Sequence, residues 1–469
     1  MSANLIKTYS SKIGDKNGTK RIWIESKKLQ ETQLSEHLRY EPIYDFENKK
    51  IVLKPGFTNK ITLREKTNAL IIDILNYNVN KIFEGFNHVV IKLFNDEVVI
   101  EPLKEEVEQK KAKQKANVKI PTAIEIFAGG GTLVRALSDA GIKTVAAVEL
   151  EDKYLENLEA NNHNVTTYCG DLAKLDISML PNADMVVAGI PCEGYSIAQT
   201  KAEKFEAHAT GSLGFYVLKI IDAIRPAVVL IEEVPNFKNS AMAALTRYVL
   251  TSMGYNITET ILKGNEWGSL TRRKRYCMVA SIKKGFKFEE SLMKQSLKKI
   301  GDILEIPIEQ REWLTKENSQ TIAYSLTKEQ EHIRKGEGFR LERTSIDDTI
   351  VATVTKGYYK NRLTDPILIH PENPNMFSWF TPRELARING LPEDFILTNT
   401  KSTNGEIIGQ GVCYEAFNAV GKMIINHFNA EEVDEELVKL QMFKSTLASA
   451  NNKDYSDEQL SCFMSGTLF

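Results

Sequence analysis

The stretch Met185-Val186-Val187-Ala188-Gly189-Ile190-Pro191-Cys192-Glu193-Gly194-Tyr195-Ser196 decides the fold. Its first four residues form an unbroken apolar run, which predicts a buried strand with a turn at its carboxyl end. Pro191 fixes its own φ and biases Ile190 toward extended backbone, so the Cys192 thiol leaves the strand in a restricted direction. In an open α/β sheet that edge is where ligands bind. A thiolate is intrinsically nucleophilic, and a rigid turn beside charged groups is a place to lower its pKa. Alone, Cys192 would read as a small buried hydrophobe. The neighbouring stretches argue otherwise.

Upstream, Ala123-Ile124-Glu125-Ile126-Phe127 reads as a strand and Ala128-Gly129-Gly130-Gly131-Thr132 as a tight turn. A helix follows, with Leu133, Ala136, Leu137 and Ala140 on one face and Gly141 at its end. Glycines at a helix amino terminus let the backbone approach a ligand closely. A second strand over residues 145–148 ends in Glu149, about twenty residues past the turn, where doubly wound folds place an acid for ribose hydroxyls. Val134 spoils GxGxxG and argues against NAD. A third strand ends near Cys169-Gly170-Asp171, where an acid can accept from an adenine amino group. A nucleoside cofactor without a pyrophosphate fits these features.

Downstream of Ser196 the segment IAQTKAEKFEAHATGSL is polar and rich in small residues, as suits a loop that closes over a substrate. A helix over 215–224 and a buried strand, Val228-Val229-Leu230-Ile231, lead to Glu232-Glu233. Two carboxylates at a strand end, on the edge that carries Cys192, are costly without a role. Thr271-Arg272-Arg273-Lys274-Arg275 then precedes a strand over 276–280. Beside a carboxylate and a thiol, this basic cluster points to an anionic substrate.

The chain has 469 residues, which suggests two to four domains. Hydrophobic residues at 42% and charged residues at 26% describe a globular protein. No apolar run is long enough to span a bilayer and none near Met1 reads as a signal, so a cytoplasmic protein without membrane partners is expected. Cys169, Cys192, Cys277, Cys413 and Cys462 are scattered without a CxxC pair, which argues against a disulfide framework or a zinc site. A formal net charge of −2 means that any DNA contact must come from local basic clusters.

Residues 1–102 carry a weak repeat. Arg21-Ile22-Trp23-Ile24-Glu25 opens one copy and Ile51-Val52-Leu53-Lys54-Pro55 closes it; Ala69-Leu70-Ile71-Ile72-Asp73 and Val98-Val99-Ile100-Glu101-Pro102 do the same 47 to 48 residues later. Asn48-Lys49 and Asn95-Asp96 are turn-forming pairs between the last two strands of each copy. Two such units could interlock as a small pseudo-symmetric barrel, similar in pattern to the swapped-hairpin barrels of bacterial transition-state regulators. Residues 103–119 read as a charged linker.

In order and spacing, these stretches resemble the DNA cytosine-5 methyltransferases over roughly residues 121–425. Glu125 through Gly131 is similar to that family's S-adenosylmethionine loop, with Phe127 as the aromatic near adenine. Glu149 matches the ribose acid and Asp171 the adenine acid. Pro191 and Cys192 match the Pro-Cys motif, with Cys192 as nucleophile. Glu232 with Val234 matches the base-gripping glutamate motif, and Arg273 with Arg275 its Arg-x-Arg partner. Arg383-Glu384, Arg387, Leu391 and Pro392 look like the late structural motif, and Gly409-Gln410-Gly411-Val412 like the terminal one. Departures are Glu125 for Asp, Glu193 for Gln, Glu233 for Asn, Thr271 for Gln and Gln410 for Asn, which bear on rate and cofactor fit.

The resemblance implies an α/β, Rossmann-like S-adenosylmethionine-dependent methyltransferase domain over residues 120–280, completed by 405–428. It also implies a smaller target-recognition domain with the late motifs over 281–404. The mainly β repeat domain precedes them, and a tail over 429–469 follows. Expected catalytic residues are Cys192, Glu232, Arg273 and Arg275, with Arg273 supporting the site or a phosphate. Expected cofactor contacts are Phe127, Ala128, Gly129, Gly131, Glu149, Leu150, Asp171, Pro191, Gln410 and Val412. The implied reaction is methylation of C5 of a flipped cytosine in duplex DNA, in a restriction-modification or phage-defence setting with a companion restriction endonuclease. Two other readings follow from the same residues: a weakened homologue acting as a DNA-binding regulator, and an RNA cytosine-5 methyltransferase. Lys356-Gly357-Tyr358-Tyr359-Lys360-Asn361-Arg362 mixes basic and aromatic groups and is expected to lie against DNA.

Overall fold

In the computed structural model, residues 5–16, 18–104, 107, 120–162, 164–191, 212–360 and 363–430 are described. The chain divides into two compact units, residues 1–115 and 116–469.

The first unit is mainly β. Strands β1 (Leu5–Lys12), β2 (Gly14–Lys16), β3 (Thr19–Ser26), β4 (Arg39–Asp45), β5 (Lys50–Pro55), β6 (Asn59–Lys60), β7 (Thr62–Arg64), β8 (Ala69–Leu75), β9 (His88–Phe94) and β10 (Val98–Pro102) form two sheets. Their orders are β1-β9-β10-β5-β4-β6 and β2-β3-β8-β7. Short helices α1 (Leu34–His37) and α2 (Tyr77–Ile82) occupy equivalent places in the two copies of the repeat. The copies meet at equivalent residues: Ile24 pairs with Ile72 across β3 and β8, and Val52 with Val99 across β5 and β10. A strand face that alternates apolar and polar residues needs a second such face to bury it. The repeat supplies that face from its other copy, and Ile22, Ile24, Ile51, Leu53, Ile72, Ile91 and Ile100 share one core.

The second unit is built on a seven-stranded sheet of order β13-β12-β11-β14-β15-β17-β16. Its strands are β11 (Thr122–Ile126), β12 (Lys143–Glu149), β13 (Thr166–Cys169), β14 (Met185–Gly189), β15 (Val228–Glu233), β16 (Asn256–Lys263) and β17 (Lys274–Ser281). The first five run parallel, while β17 runs antiparallel to both β15 and β16. All six residues of β15 are buried, as the continuous apolar runs of parallel strands require. Helices α3 (Thr132–Asp139), α4 (Asp152–Asn161), α5 (Leu213–Ile224) and α6 (Ala241–Ser252) connect these strands. After β11 the chain builds outward through β12 and β13, then returns to β11's other side as β14. That reversal opens a crevice at the carboxyl ends of β11 and β14.

Residues beyond β17 form a smaller region with helix α7 (Gln320–Arg334), a three-stranded sheet of β18 (Glu342–Thr344), β19 (Pro366–Ile369) and β20 (Phe377–Ser378), and helix α8 (Pro382–Ile388). α8 begins with a capping box, Thr381 and Glu384 each accepting the other's backbone N–H, and Pro382 stands at its first position. Glu384 is fully buried and paired with the buried Arg311. The chain then returns to the large sheet through α9 (Lys401–Gln410) and α10 (Tyr414–Asn429). α10 packs on α3: Asn418 Nδ2 donates to the Ala136 carbonyl at 3.0 Å and Tyr414 Oη donates to Asp139 at 2.6 Å. No helix among the described residues is long and apolar enough to cross a membrane.

Candidate active site

β11 ends at Ile126 and the backbone turns at once, with Phe127 at φ 60°, Gly129 at 53° and Gly131 at 81°. The left-handed region costs a non-glycine residue on the order of 1 kcal/mol, so Phe127 is held there by its surroundings. Gly129 and Gly131 occupy it freely. Gly130 is constrained by space: a β-carbon there would lie 2.5 Å from Ile407 Cγ2. The turn is pinned by three hydrogen bonds. Gly129 N–H donates to Glu149 Oε2 (2.8 Å), Ala128 N–H to the Val148 carbonyl (3.1 Å), and Asn157 Nδ2 to the Gly130 carbonyl (2.9 Å).

Glu149, at the end of β12, also accepts the N–H groups of Leu150 (2.8 Å) and Glu151 (3.1 Å) through Oε1. Two carboxylate oxygens offer about four acceptor sites, so one remains for a ligand hydroxyl. Leu150 beside it is 61% exposed, unusual for leucine and suited to covering a flat apolar ring. Asp171 follows β13, exposed, and caps a short 3-10 turn by accepting the Ala173 N–H at 2.9 Å. Gln410 ends α9 with its Nε2 3.3 Å from where a Gly129 β-carbon would stand. Val412 is buried, and its N–H donates to Thr132 Oγ1 at 3.4 Å. The turn, Phe127 and Leu150, the acids at 149 and 171, and the end of α9 thus surround one edge of the sheet. An adenosine bearing a positive group fits this lining, which offers apolar faces, carboxylates and backbone without side chains.

Across the reversal lies the second half of the site. β14 and β15 pair so that Gly189 stands opposite Glu232. Glu232 Oε2 would be 3.5 Å from a Gly189 β-carbon, so glycine keeps open the space in front of the carboxylate. Glu232 also pairs across the sheet with Cys277 on β17, which sets Arg275 at its side; Arg275 Nε lies 2.6 Å from Glu232 Oε1. A buried carboxylate is thus matched by a cation on the neighbouring strand. Burial pushes the Glu232 carboxyl above the usual carboxylate range, while Arg275 and Arg273 pull it part of the way back. An acid so placed holds its proton longer than a surface glutamate.

A family model of the C-5 cytosine-specific DNA methylases matches residues 122–426, well over half of the chain. This chain belongs to the C-5 cytosine-specific DNA methylases. It is similar to the Type II methyltransferase M.MspI of Moraxella sp, 24% identical over 436 residues that cover 90% of this chain and 95% of that protein. It is also similar to M.DsaV of Dactylococcopsis salina, 25% identical over 325 residues, covering 68% of this chain and 90% of that one. Among solved structures, the S. pombe Dnmt2 methyltransferase shares the fold with a TM-score of 0.54 at 20% identity, covering 66% of this chain and 99% of its own.

For a DNA methylase, the surroundings of Arg273 and of residues 356–360 bear on the sequence reading. Arg273 is 1% exposed and donates to the carbonyls of Val354 (2.8 Å) and Gly409 (2.9 Å), so it braces the site and is not free to meet a phosphate. The Tyr358 ring is turned into the core and Tyr359 is half-buried. Tyr358 is fully buried, donating to the Pro366 carbonyl and accepting the Phe380 N–H, and Tyr359 donates to the Phe380 carbonyl. Only Lys356 and Lys360 of that segment are exposed among its described residues, and Lys360 reaches Glu406 at 3.3 Å. Pro191 is described at the end of β14, whereas Cys192, Glu193, Ser196 and the loop expected after them lie outside the described residues, as do Asn361, Arg362 and most of the linker and tail.

The sequence reading noted Glu125 as a replacement and missed its setting. Paired residues of parallel strands point to one face, so Glu125, Val187, Gly189 and Glu232 share a face. Glu125 is 1% exposed and its Oε2 has no partner; burial, then the charge of Glu232, pushes its carboxyl well above the usual range. Glu233 is likewise buried, and desolvation raises it strongly.

Proposed function

We propose that this family member methylates C5 of a cytosine flipped out of duplex DNA, through a transient bond between Cys192 and C6. The observation that supports this best is the Gly189–Glu232 pairing. It sets a buried acid, backed by Arg275, beside the strand that runs into Pro191 and Cys192, across the reversal from the glycine turn. The curated relatives, named as Type II methyltransferases, support DNA as the substrate.

S-adenosylmethionine, when bound, supplies a methyl group made electrophilic by its sulfonium. Glu149 would take the ribose hydroxyls, Asp171 the adenine amino group, and Phe127 and Leu150 the flat faces of the base, with Gln410 and Val412 closing the far side. The chain's other residues handle the cytosine. The Cys192 thiolate attacks C6, and the C5–C6 π electrons become available at C5. Glu232 donates to N3, which draws electrons from the ring and stabilises the adduct. Arg275 orients Glu232 and offers its remaining N–H groups to O2. After C5 is methylated, water removes the C5 proton, the double bond re-forms and the thiolate leaves. A thiol cannot reach C6 inside a stacked duplex, so the base must swing out.

The experiment is tritium transfer from labelled S-adenosylmethionine to DNA and to tRNA by the wild type and by Cys192→Ala. Loss of transfer in the variant, with cofactor binding retained, is expected on DNA. Turnover by the alanine variant, or absence of a covalent complex with a 5-fluorocytosine duplex that is demonstrably bound, would refute the mechanism. Transfer to tRNA alone would refute the substrate. Methylation sequencing of host DNA would supply the target site, and the companion endonuclease belongs to the same proposal.

A further inference from the structure

An open groove of about 650 Å³ lies in the amino-terminal unit between edge strand β1 and the segment running from β3 into the 3-10 turn Lys27–Glu31. Its volume is within the range of sites for molecules of nucleotide size. Lys7, Tyr9, Trp23, Glu25, Lys27 and Lys28 contribute to its lining. Glu25 is neutralised by Arg64, whose Nη1 stands 2.9 Å from both of its oxygens, and Lys28 is paired with Glu31. The lining charges without a carboxylate partner among the described residues are therefore the two ammonium groups of Lys7 and Lys27. Excess positive charge is thus left at the groove.

Two aromatic rings accompany these cations. Trp23, at 36% exposure, is held on the outer face of β3 by the Arg21 guanidinium, 4.4 Å from the ring centroid. Arg21 is itself fixed by Asp73 through hydrogen bonds of 2.7 and 2.8 Å. Lys7 Nζ lies 5.3 Å from the Tyr9 ring centroid. The Tyr9 hydroxyl is buried and has no hydrogen-bond partner among the described residues, a state that native structures rarely leave unexplained. Burial pushes its pKa up to about 12, so it keeps its proton. Neither the repeat nor the methylation site accounts for these groups.

We propose that this groove binds single-stranded nucleic acid, with an unpaired base against Trp23 and phosphates at Lys7 and Lys27. A positive groove lined with aromatic side chains is the general solution for unpaired strands, because every base has a π-face and every linkage an anion. A base inside a duplex keeps its faces covered by its neighbours and cannot use Trp23. The site is separate from the cytosine chemistry and stands whether or not Cys192 is the nucleophile.

The test uses the full chain and a fluorescein-labelled oligothymidylate of about twelve nucleotides, a length that spans one such groove. It contains no cytosine and so offers the methylation site no target. Fluorescence anisotropy of the wild type should show binding that weakens with salt. Trp23→Ala should weaken it roughly five- to 150-fold, the loss of one stacking contact, while Trp23→Phe should retain most of it. Lys7→Ala with Lys27→Ala should also flatten the log–log salt slope by about 1.4. All variants should keep the wild-type melting temperature and the wild-type rate on a cytosine duplex. Wild-type protein that fails to bind, variants that bind with unchanged Kd, or a dA·dT duplex that competes as well as the single strand would each overturn the proposal.

Discussion

Replacing Gly130 by alanine probes how the cofactor turn is built. Its φ is not in the left-handed region, so alanine would meet no backbone strain there, unlike at Gly129 or Gly131. The obstacle is one side chain. The new β-carbon would lie 2.5, 2.7 and 2.9 Å from Cγ2, Cγ1 and Cδ1 of Ile407, which is 1% exposed on α9. Ordinary carbon contacts begin near 3.5 Å, so the turn and α9 must part by about 1 Å. Overpacking of this kind costs about 1–3 kcal/mol, and the same displacement moves Gln410 away from Gly129. We expect a lower urea midpoint and S-adenosylmethionine binding weakened roughly ten-fold or more by calorimetry. Ile407→Ala removes all three obstructing atoms but empties a buried site, at about 2–5 kcal/mol. Because the added methyl occupies part of the vacated space, the double variant should be more stable than the sum of the single effects by about 1–3 kcal/mol. Additive losses, or a Gly130→Ala protein that melts and binds like wild type, would refute the packing reasoning.

Glu125, Glu232 and Glu233 carry pKa values raised by burial, so the folded chain keeps protons that the unfolded chain releases above roughly pH 4. Their contribution to stability is full below that pH and is lost as pH rises through the folded values. Glu125→Gln cannot ionise, and its urea midpoint should fall less than the wild type's between about pH 5 and pH 8; an equal fall would contradict the assignment. Arg273→Met should strand the carbonyls of Val354 and Gly409, costing about 2–6 kcal/mol in chemical denaturation. A loss of DNA affinity at unchanged stability would instead restore Arg273 to a phosphate.

Much of the large sheet was legible because its signals are local. Apolar runs bounded by glycine or by acids gave β11, β12, β14 and β15, whereas the reversal that sets β13 and β12 on one side of β11 and β14 and β15 on the other is a property of the sheet. In the amino-terminal unit Ile24 and Ile72, 48 residues apart, pair directly. What stayed hidden depends on partners remote in sequence. Sequence leaves Arg273 between supporting the site and meeting a phosphate, and only the fold brings Val354 and Gly409, 81 and 136 residues away, to its guanidinium. Tyr358 beside lysines reads as exposed because composition says nothing about which way a ring turns. The buried setting of Glu125 is a property of three adjacent strands and cannot be seen in any one of them.

The packing of α9 against the glycine turn has a consequence for synthesis. Gly131 and Gln410 are about 280 residues apart, and translation at 5–20 residues per second separates their emergence by on the order of 15–60 s. During that interval the nascent chain carries the glycine turn without the helix that packs on it, and the proposed methyl-donor site lacks one wall. A ribosome-bound fragment would therefore gain tight affinity for its methyl donor late, after the elements that handle the base have been synthesised.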